Sequence, residues 1–264
     1  MIVADDSDPT ATNMIGSGFD DVLIGDTDGG NMDGGAGDDL LIVTTLADTV
    51  ENTINGNTGT GDTVSFLDIT TGTGVLIDLG AASDGNGTAS DGINIGDVLL
   101  GVENVIGSDG DDTISGDGLD NTLIGEFGND TLTGNGGADI LTGGAGNDTF
   151  KYLLDTDSIA ASRDIITDFD SNAADSFDIS ALIVEHNATA TTGVDDITTF
   201  NFVTSFTSTA QVAEARLVDT ANANIKLLEL DMDADGVAET EIEMHNVDVA
   251  NLDDTDFVTG LGPA

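Results

Sequence analysis

The chain has no cysteine, no tryptophan, one tyrosine and only two prolines in 264 residues. Without cysteine there is neither a disulfide nor a thiolate metal site, so any staple must be made of other groups. Basic residues are almost as scarce, with Lys plus Arg at 4 against Asp plus Glu at 51 and a net charge of −47. A surface of that sign repels nucleic acid phosphate and anionic membrane, and neither is expected as a partner. Self-repulsion also opposes compaction until cations arrive, and halophilic or marine adaptation is compatible with the same composition. No run of about 18 apolar residues exists, so no span of a membrane is expected. Residues 1–15 lack the basic and apolar regions of a Sec signal.

Catalytic signatures are missing as well. The only histidines are His186, followed by Asn-Ala, and His245, followed by Asn-Val, so neither opens HExxH. There is no GxSxG and no P-loop. Carboxylates are so dense that closeness in sequence says nothing about acid/base pairs. The chain is expected not to be an enzyme.

What the chain does have is a repeat. Residues 107–151 read GSDGDDTIS, GDGLDNTLI, GEFGNDTLT, GNGGADILT and GGAGNDTFK, five nine-residue units without slippage. Each opens on glycine (Gly107, Gly116, Gly125, Gly134, Gly143), and the eighth place is Ile114, Leu123, Leu132, Leu141 or Phe150. The sixth place carries Asp112, Asn121, Asp130, Asp139 and Asp148.

Six residues rich in Gly, Asp and Asn favour a turn, because glycine reaches positive φ freely and Asp/Asn bond back to the backbone. Three residues such as Thr-Leu-Thr favour a short strand with its middle side chain on one face. So short a strand buries too little alone, and stacked on copies of itself it makes the apolar column of a solenoid. With two units per coil, residues eighteen apart lie over one another: Asp112 on Asp130, Asn121 on Asp139, Asp130 on Asp148. Coils sit about 4.8 Å apart, and two carboxylates at that distance repel by roughly 3 kcal/mol at an effective dielectric near 20. A hard divalent cation reverses the sign, taking oxygen ligands from carboxylates and from turn carbonyls that glycines leave accessible. The candidate turn positions are Gly107, Gly110, Gly116, Gly118, Gly125, Gly128, Gly134, Gly136, Gly143 and Ala145, beside the five sixth-place side chains.

These units resemble the nonapeptide GGxGxDxUx of the RTX family of type I secreted bacterial proteins. The strongest matches are Gly34 to Ile42 (GGAGDDLLI) and Gly143 to Lys151. The resemblance implies an all-β fold, a parallel β-roll with several calcium ions bound in its turns.

In chain order, residues 1–15 form a polar lead-in. A first RTX block (16–65) contains GSGFDDVLI, GDTDGGNMD and GGAGDDLLI, with Asp21 and Asp39 eighteen apart and expected to share an ion. Gly34 and Gly37 belong to its turns. The middle unit has Gly30 at the sixth place and lacks a carboxylate there unless Asp26 or Asp28 substitutes. INGNTGTGDTVSF then looks like a unit with one extra residue and Asp62 in the liganding place. Residues 66–106 resemble the β insert between RTX blocks and are expected to continue the solenoid with wider coils, the loop Ala81 to Gly92 bulging out. The second RTX block is 107–151. The segment 152–182 resembles the cap that follows such arrays in serralysin-type proteins, closing the open end, with Arg163 in a structural ion pair.

Residues 183–264 are read as a C-terminal β region with antiparallel strands at Ala213–Val218, Lys226–Leu230 and Glu239–Met244. Asp231, Asp233 and Asp235 ahead of Gly236 have the spacing that opens an EF-hand loop, but the twelfth place is Ile242. That leaves a calcium-binding hairpin turn or an ordinary Asp/Gly turn. The tail, with Asp256-Phe257-Val258, resembles an uncleaved type I secretion signal.

The expected function is that of a calcium-folded, non-catalytic module at the C-terminal end of a secreted or surface protein, partnered by calcium and a type I exporter. The alternative is a calcium-dependent adhesin or S-layer-like module that self-associates or joins a cell-surface matrix.

Overall fold

The computed structural model describes residues 1–3, 13–25, 30–44, 52–69, 74–80, 87–90, 97–170, 175–183, 199–202, 212–222, 224–232, 237–245, 252 and 256–259. Its strands form two sheets, one of 12 strands and one of 11, over a single shared core. The chain alternates between them. Val22–Ile24, Leu40–Ile42, Thr63–Ser65, Asn104–Ile106, Thr122–Phe127, Ile140–Ala145 and Asp164–Ile166 lie in the first sheet. Met14–Ile15, Met32–Ala36, Thr53–Thr58, Thr113–Ser115, Thr131–Thr133, Thr149–Lys151 and Ser176–Asp178 lie in the second. Neighbours pair in parallel, so the path is a β-roll, the expected fold class.

Register follows the eighth place. In the first sheet Leu23, Leu41, Val64, Val105, Leu123, Leu141, Ile166 and Met244 are successive ladder partners. In the second, Ile77, Ile114, Leu132, Phe150, Phe177 and Phe257 do the same. All but Phe257 are at most 2% exposed. Each such side chain gains about 1.5–3 kcal/mol from burial, and a three-residue strand keeps its single apolar residue inward while its threonines flank it.

The insert departs from expectation. Leu76–Asp78, Gly87–Ser90 and Asp97–Leu100 form an antiparallel meander wholly within the second sheet. It sits between Thr53–Thr58 and Thr113–Ser115, while in the first sheet Thr63–Ser65 pairs directly with Asn104–Ile106. One sheet therefore gains two strands that the other lacks, instead of a wider coil. Part of the presumed exposed loop is a strand: Gly87 and Ala89 face inward and Thr88 is exposed. Its alternation of period two was hidden because the inward residues are small. Residues 81–86 and 91–92 lie outside the described residues.

Residues 152–182 do not close the end. Asp164–Ile166 and Ser176–Asp178 wind as one more coil, and Thr240–His245 and Phe257–Val258 extend both sheets beyond it. The reason lies in Ile166 and Phe177, which continue the two apolar columns, so the segment has the inward pattern of a coil. Phe169, Phe177 and Phe257 stack, with centroids 4.7 and 5.4 Å apart. Past this coil, Val212–Asp219, Ile225–Asp231 and Thr240–His245 are antiparallel, as expected. Arg163 pairs with Glu241 across two neighbouring coils, a structural ion pair.

Leu132→Ala is expected to cost about 2–5 kcal/mol in calcium-saturated denaturant unfolding. Leu119→Ala, on a turn where Leu119 is 62% exposed, should stay within about 0.5 kcal/mol.

Candidate metal centre

Each turn ends on its sixth-place side chain, which reaches across to the backbone of the coil before it. Along one edge, the Asp112 N–H donates to Asp130 Oδ1 at 2.7 Å, Asp130 N–H to Asp148 Oδ1 at 2.9 Å, and Asp148 N–H to Asp175 Oδ1 at 2.9 Å. Along the other, Asp21 N–H donates to Asp39 Oδ1 at 2.8 Å, and Asp39 N–H to Asp62 Oδ1 at 2.7 Å. There too, Asn121 N–H donates to Asp139 Oδ1 at 2.8 Å, and Asp139 N–H to Asp164 Oδ1 at 3.1 Å. Fifth-place side chains run the opposite way, with Asn129 N–H donating to Asp111 Oδ1 and Asn147 N–H to Asn129 Oδ1.

One carboxylate oxygen of each inner pair is thus used, and the other is not. The Oδ2 atoms of Asp39, Asp62, Asp130 and Asp139 are buried with no hydrogen-bond partner, while Asp164 has the buried Tyr152 hydroxyl beside its carboxylate. Leaving such an atom bare costs about 1–3 kcal/mol or more, so each suits a positively charged partner.

The turns divide into two kinds. At three of them the chain closes on its own side chain. Ser17 N–H donates to Asp21 Oδ2, Ser108 N–H to Asp112 Oδ2 and Asp117 N–H to Asn121 Oδ1, at 2.7, 2.6 and 2.9 Å. In the units that start at Gly34, Gly125, Gly134 and Gly143, the second residue has positive φ instead, at Gly35, Glu126, Asn135 and Gly144. That backbone turns the second N–H away and leaves the Asp39, Asp130 and Asp139 Oδ2 atoms open. Gly37 and Gly128, at the fourth place, also have positive φ.

Glycine at the first place is required by space. A Cβ on Gly34, Gly107, Gly116, Gly125, Gly134 or Gly143 would fall under 3.0 Å from an oxygen of Asp39, Asp112, Asn121, Asp130, Asp139 or Asp148 respectively. It would also lie 2.6, 2.6 and 2.5 Å from the carbonyls of Gly125, Gly134 and Gly143 when placed on Gly107, Gly116 and Gly125. The Gly110 carbonyl crowds Gly128 in the same way. Gly118 and Gly136 have nothing within 4 Å, and Ala145 is exposed at the end of a strand. Asp231 is 0% exposed at the end of Ile225–Asp231, while Asp233 and Asp235 lie outside the described residues.

Column residues missed from the sequence include Asp97, Glu103, Asp164 and Asp175. Asp97 Oδ1 accepts from Asn52 N–H and Glu103 Oε2 from Asp62 N–H, at 3.0 and 2.9 Å. Each stands two places before a buried apolar residue, Leu99, Val105, Ile166 or Phe177, just as the sixth place precedes the eighth.

Burial governs the protonation of these groups. It pushes Asp62 and Asp148 up to about 6, Asp130 and Asp139 to about 7, and Asp164 to about 8. Backbone hydrogen bonds offset this in part, and neighbouring carboxylates add to it. Asp21, held by Ser17, is lowered.

The donor set is oxygen only, with carboxylates and glycine-exposed carbonyls and no thiol or imidazole, which suits a hard divalent cation. A family model described as the RTX calcium-binding nonapeptide repeat, in four copies, matches residues 100–118 and 115–150. The array is an RTX repeat. RTX nonapeptide repeats bind Ca2+, and the unpartnered carboxylate oxygens and glycine-cleared space fit that ion. No match was found among curated proteins. Among solved structures, the solution structure of the AlgE6R3 subunit from the Azotobacter vinelandii mannuronan C5-epimerase is 20% identical at a TM-score of 0.35. That alignment covers 97% of this chain and 88% of that one.

Gly125→Ala should weaken calcium binding roughly 10–100-fold at its turn in a calorimetric titration, whereas Gly136→Ala should leave it unchanged. In chelator the sign of the pH dependence follows from raised carboxyl values. The folded, metal-free roll holds protons that the unfolded chain releases from about 3.8 upward, so stability falls as pH rises from there to about 8. In chelator, far-ultraviolet circular dichroism should therefore show more β signal at about pH 5 than at about pH 8, where the metal-free chain is unfolded. In calcium the order should reverse, because protons compete for the same oxygens.

Proposed function

We propose that this chain is a non-catalytic module that folds when calcium binds outside the cell. In this reading Asp39, Asp62, Asp130, Asp139, Asp148 and Asp164 hold ions between successive open turns, with carbonyls of the glycine turns completing each set. Asp21, Asp112 and Asn121 supply the facing side chain from turns already closed by the chain. The observation that carries it is the row of buried, partnerless Oδ2 atoms at Asp39, Asp62, Asp130 and Asp139. Bound calcium supplies the positive charge that these oxygens lack. Metal binding free energy is then folding free energy.

Export follows from the same chemistry. Extracellular modules bind calcium at about 10⁻⁴–10⁻³ M, so in the cytosol the chain stays unfolded and fit for a type I exporter, and outside it folds and does not return. Localisation is accordingly secreted or at the bacterial surface. A calcium-assembled adhesin or S-layer-like module is the second reading. It is favoured by large apolar side chains at turn tips, with Phe19 79%, Leu119 62% and Phe127 53% exposed. Light scattering with and without calcium separates the two, since assembly predicts large particles and the favoured reading a monomer.

Far-ultraviolet circular dichroism during a calcium titration tests the main proposal. The expected course is a disordered spectrum in EDTA and a cooperative rise of β signal near about 10⁻³ M calcium. Full β signal in excess EDTA at neutral pH would overturn it.

A further inference from the structure

The two arrays are separated by a long detour, yet one column of polar side chains runs through it unbroken. Thr63–Ser65 pairs in parallel with Asn104–Ile106, with Asn104 opposite Thr63. That register sets Glu103 over Asp62, although they are 41 residues apart rather than eighteen. The Asp62 N–H donates to Glu103 Oε2 at 2.9 Å, and the Asp62 carbonyl accepts from the N–H groups of Glu103 and Asn104 at 3.1 and 2.9 Å. On the far side, Asn121 Nδ2–H donates to the Glu103 carbonyl at 2.9 Å. The column therefore reads Asp39, Asp62, Glu103, Asn121, Asp139, Asp164.

At the junction, Asp62 is 0% exposed and its Oδ2 has no hydrogen-bond partner. Two glycines keep the space beside that oxygen clear. A Cβ on Gly56 would stand 2.6 Å from Asp62 Oδ2 and under 3.0 Å from the Gly101 carbonyl. A Cβ on Gly59 would stand 2.7 Å from the same Oδ2 and under 3.0 Å from the Gly37 carbonyl. Asn57 and Gly101, at φ 72° and 53°, shape the two facing turns. Carbonyls of the coils on either side thus converge with a buried carboxylate, and a second carboxylate stands where the next sixth-place Asp would be.

We infer that Asp62 and Glu103 hold a calcium ion across the junction of the two arrays, with Glu103 in the place of a repeat aspartate. The inference rests on the reading that open turns of this roll bind calcium. The added methylene of glutamate suits the position, because the coil that follows enters from the antiparallel insert and not from a nonapeptide turn. An ion there makes the two arrays one folding unit, where the insert would otherwise leave two.

Native mass spectrometry of the full chain at saturating calcium tests this with the Glu103→Gln and Asp62→Asn variants. Glutamine keeps an acceptor for the Asp62 N–H, so a merely structural Glu103 predicts an unchanged ion count. The expected result for each variant is one ion fewer than wild type, with the calcium-induced rise of β signal split into two steps in E103Q. An unchanged count in E103Q overturns the junction site while leaving the other turns intact, and so does loss of every ion together with the fold. If wild type itself takes up no calcium, the reading of the open turns falls and the junction site with it.

Discussion

The structure depends on a repulsion that winding itself creates. Parallel stacking sets carboxylates over one another at the spacing of β-strands, and the two edges of the roll become columns of like charge. Each stacked pair costs roughly 3 kcal/mol at an effective dielectric near 20, about what one leucine gains by burial. A coil that buries two apolar residues and stacks two carboxylate pairs is therefore close to balance before chain entropy is counted. The charge on the columns therefore opposes winding, and the turns must accommodate it.

The chain meets this in two ways. Where a turn closes on its own side chain, as Ser108 does on Asp112, a backbone N–H and a hydroxyl donate to the carboxylate. Where the second residue takes positive φ, as Gly35 and Glu126 do, Asp39 and Asp130 keep a buried Oδ2 with no hydrogen-bond partner. Burial and neighbouring carboxylates raise Asp130 and Asp139, which favours a proton on these carboxyls. Glycine at the first place is the steric condition for either kind of turn, because a methyl group there would collide with the sixth-place side-chain oxygen.

Legibility in the sequence tracked periodicity. The array 107–151 gave its register outright, since a glycine and a large apolar residue recur in one frame, and the pairings of Leu123 with Leu141 and Leu132 with Phe150 follow from counting. Where spacing stretches to 25 or 27 residues, the frame is lost, and Asp164 and Asp175 went unseen although each keeps its place before Ile166 or Phe177. Glu103 was hidden twice, by the detour and by being a glutamate. The strand Gly87–Ser90 was hidden because a glycine and an alanine can face a core without marking it as apolar. Coil continuation and end cap look alike in letters, and only the pairing of Asp164–Ile166 with Thr240–His245 distinguishes them.

The most direct test is anomalous difference density from a crystal grown in calcium, with data collected at a wavelength where calcium scatters anomalously. The account predicts discrete peaks between the stacked turns, beside the Oδ2 atoms of Asp39, Asp130 and Asp139. Turns wound as described here, with flat anomalous maps at those oxygens, would contradict it.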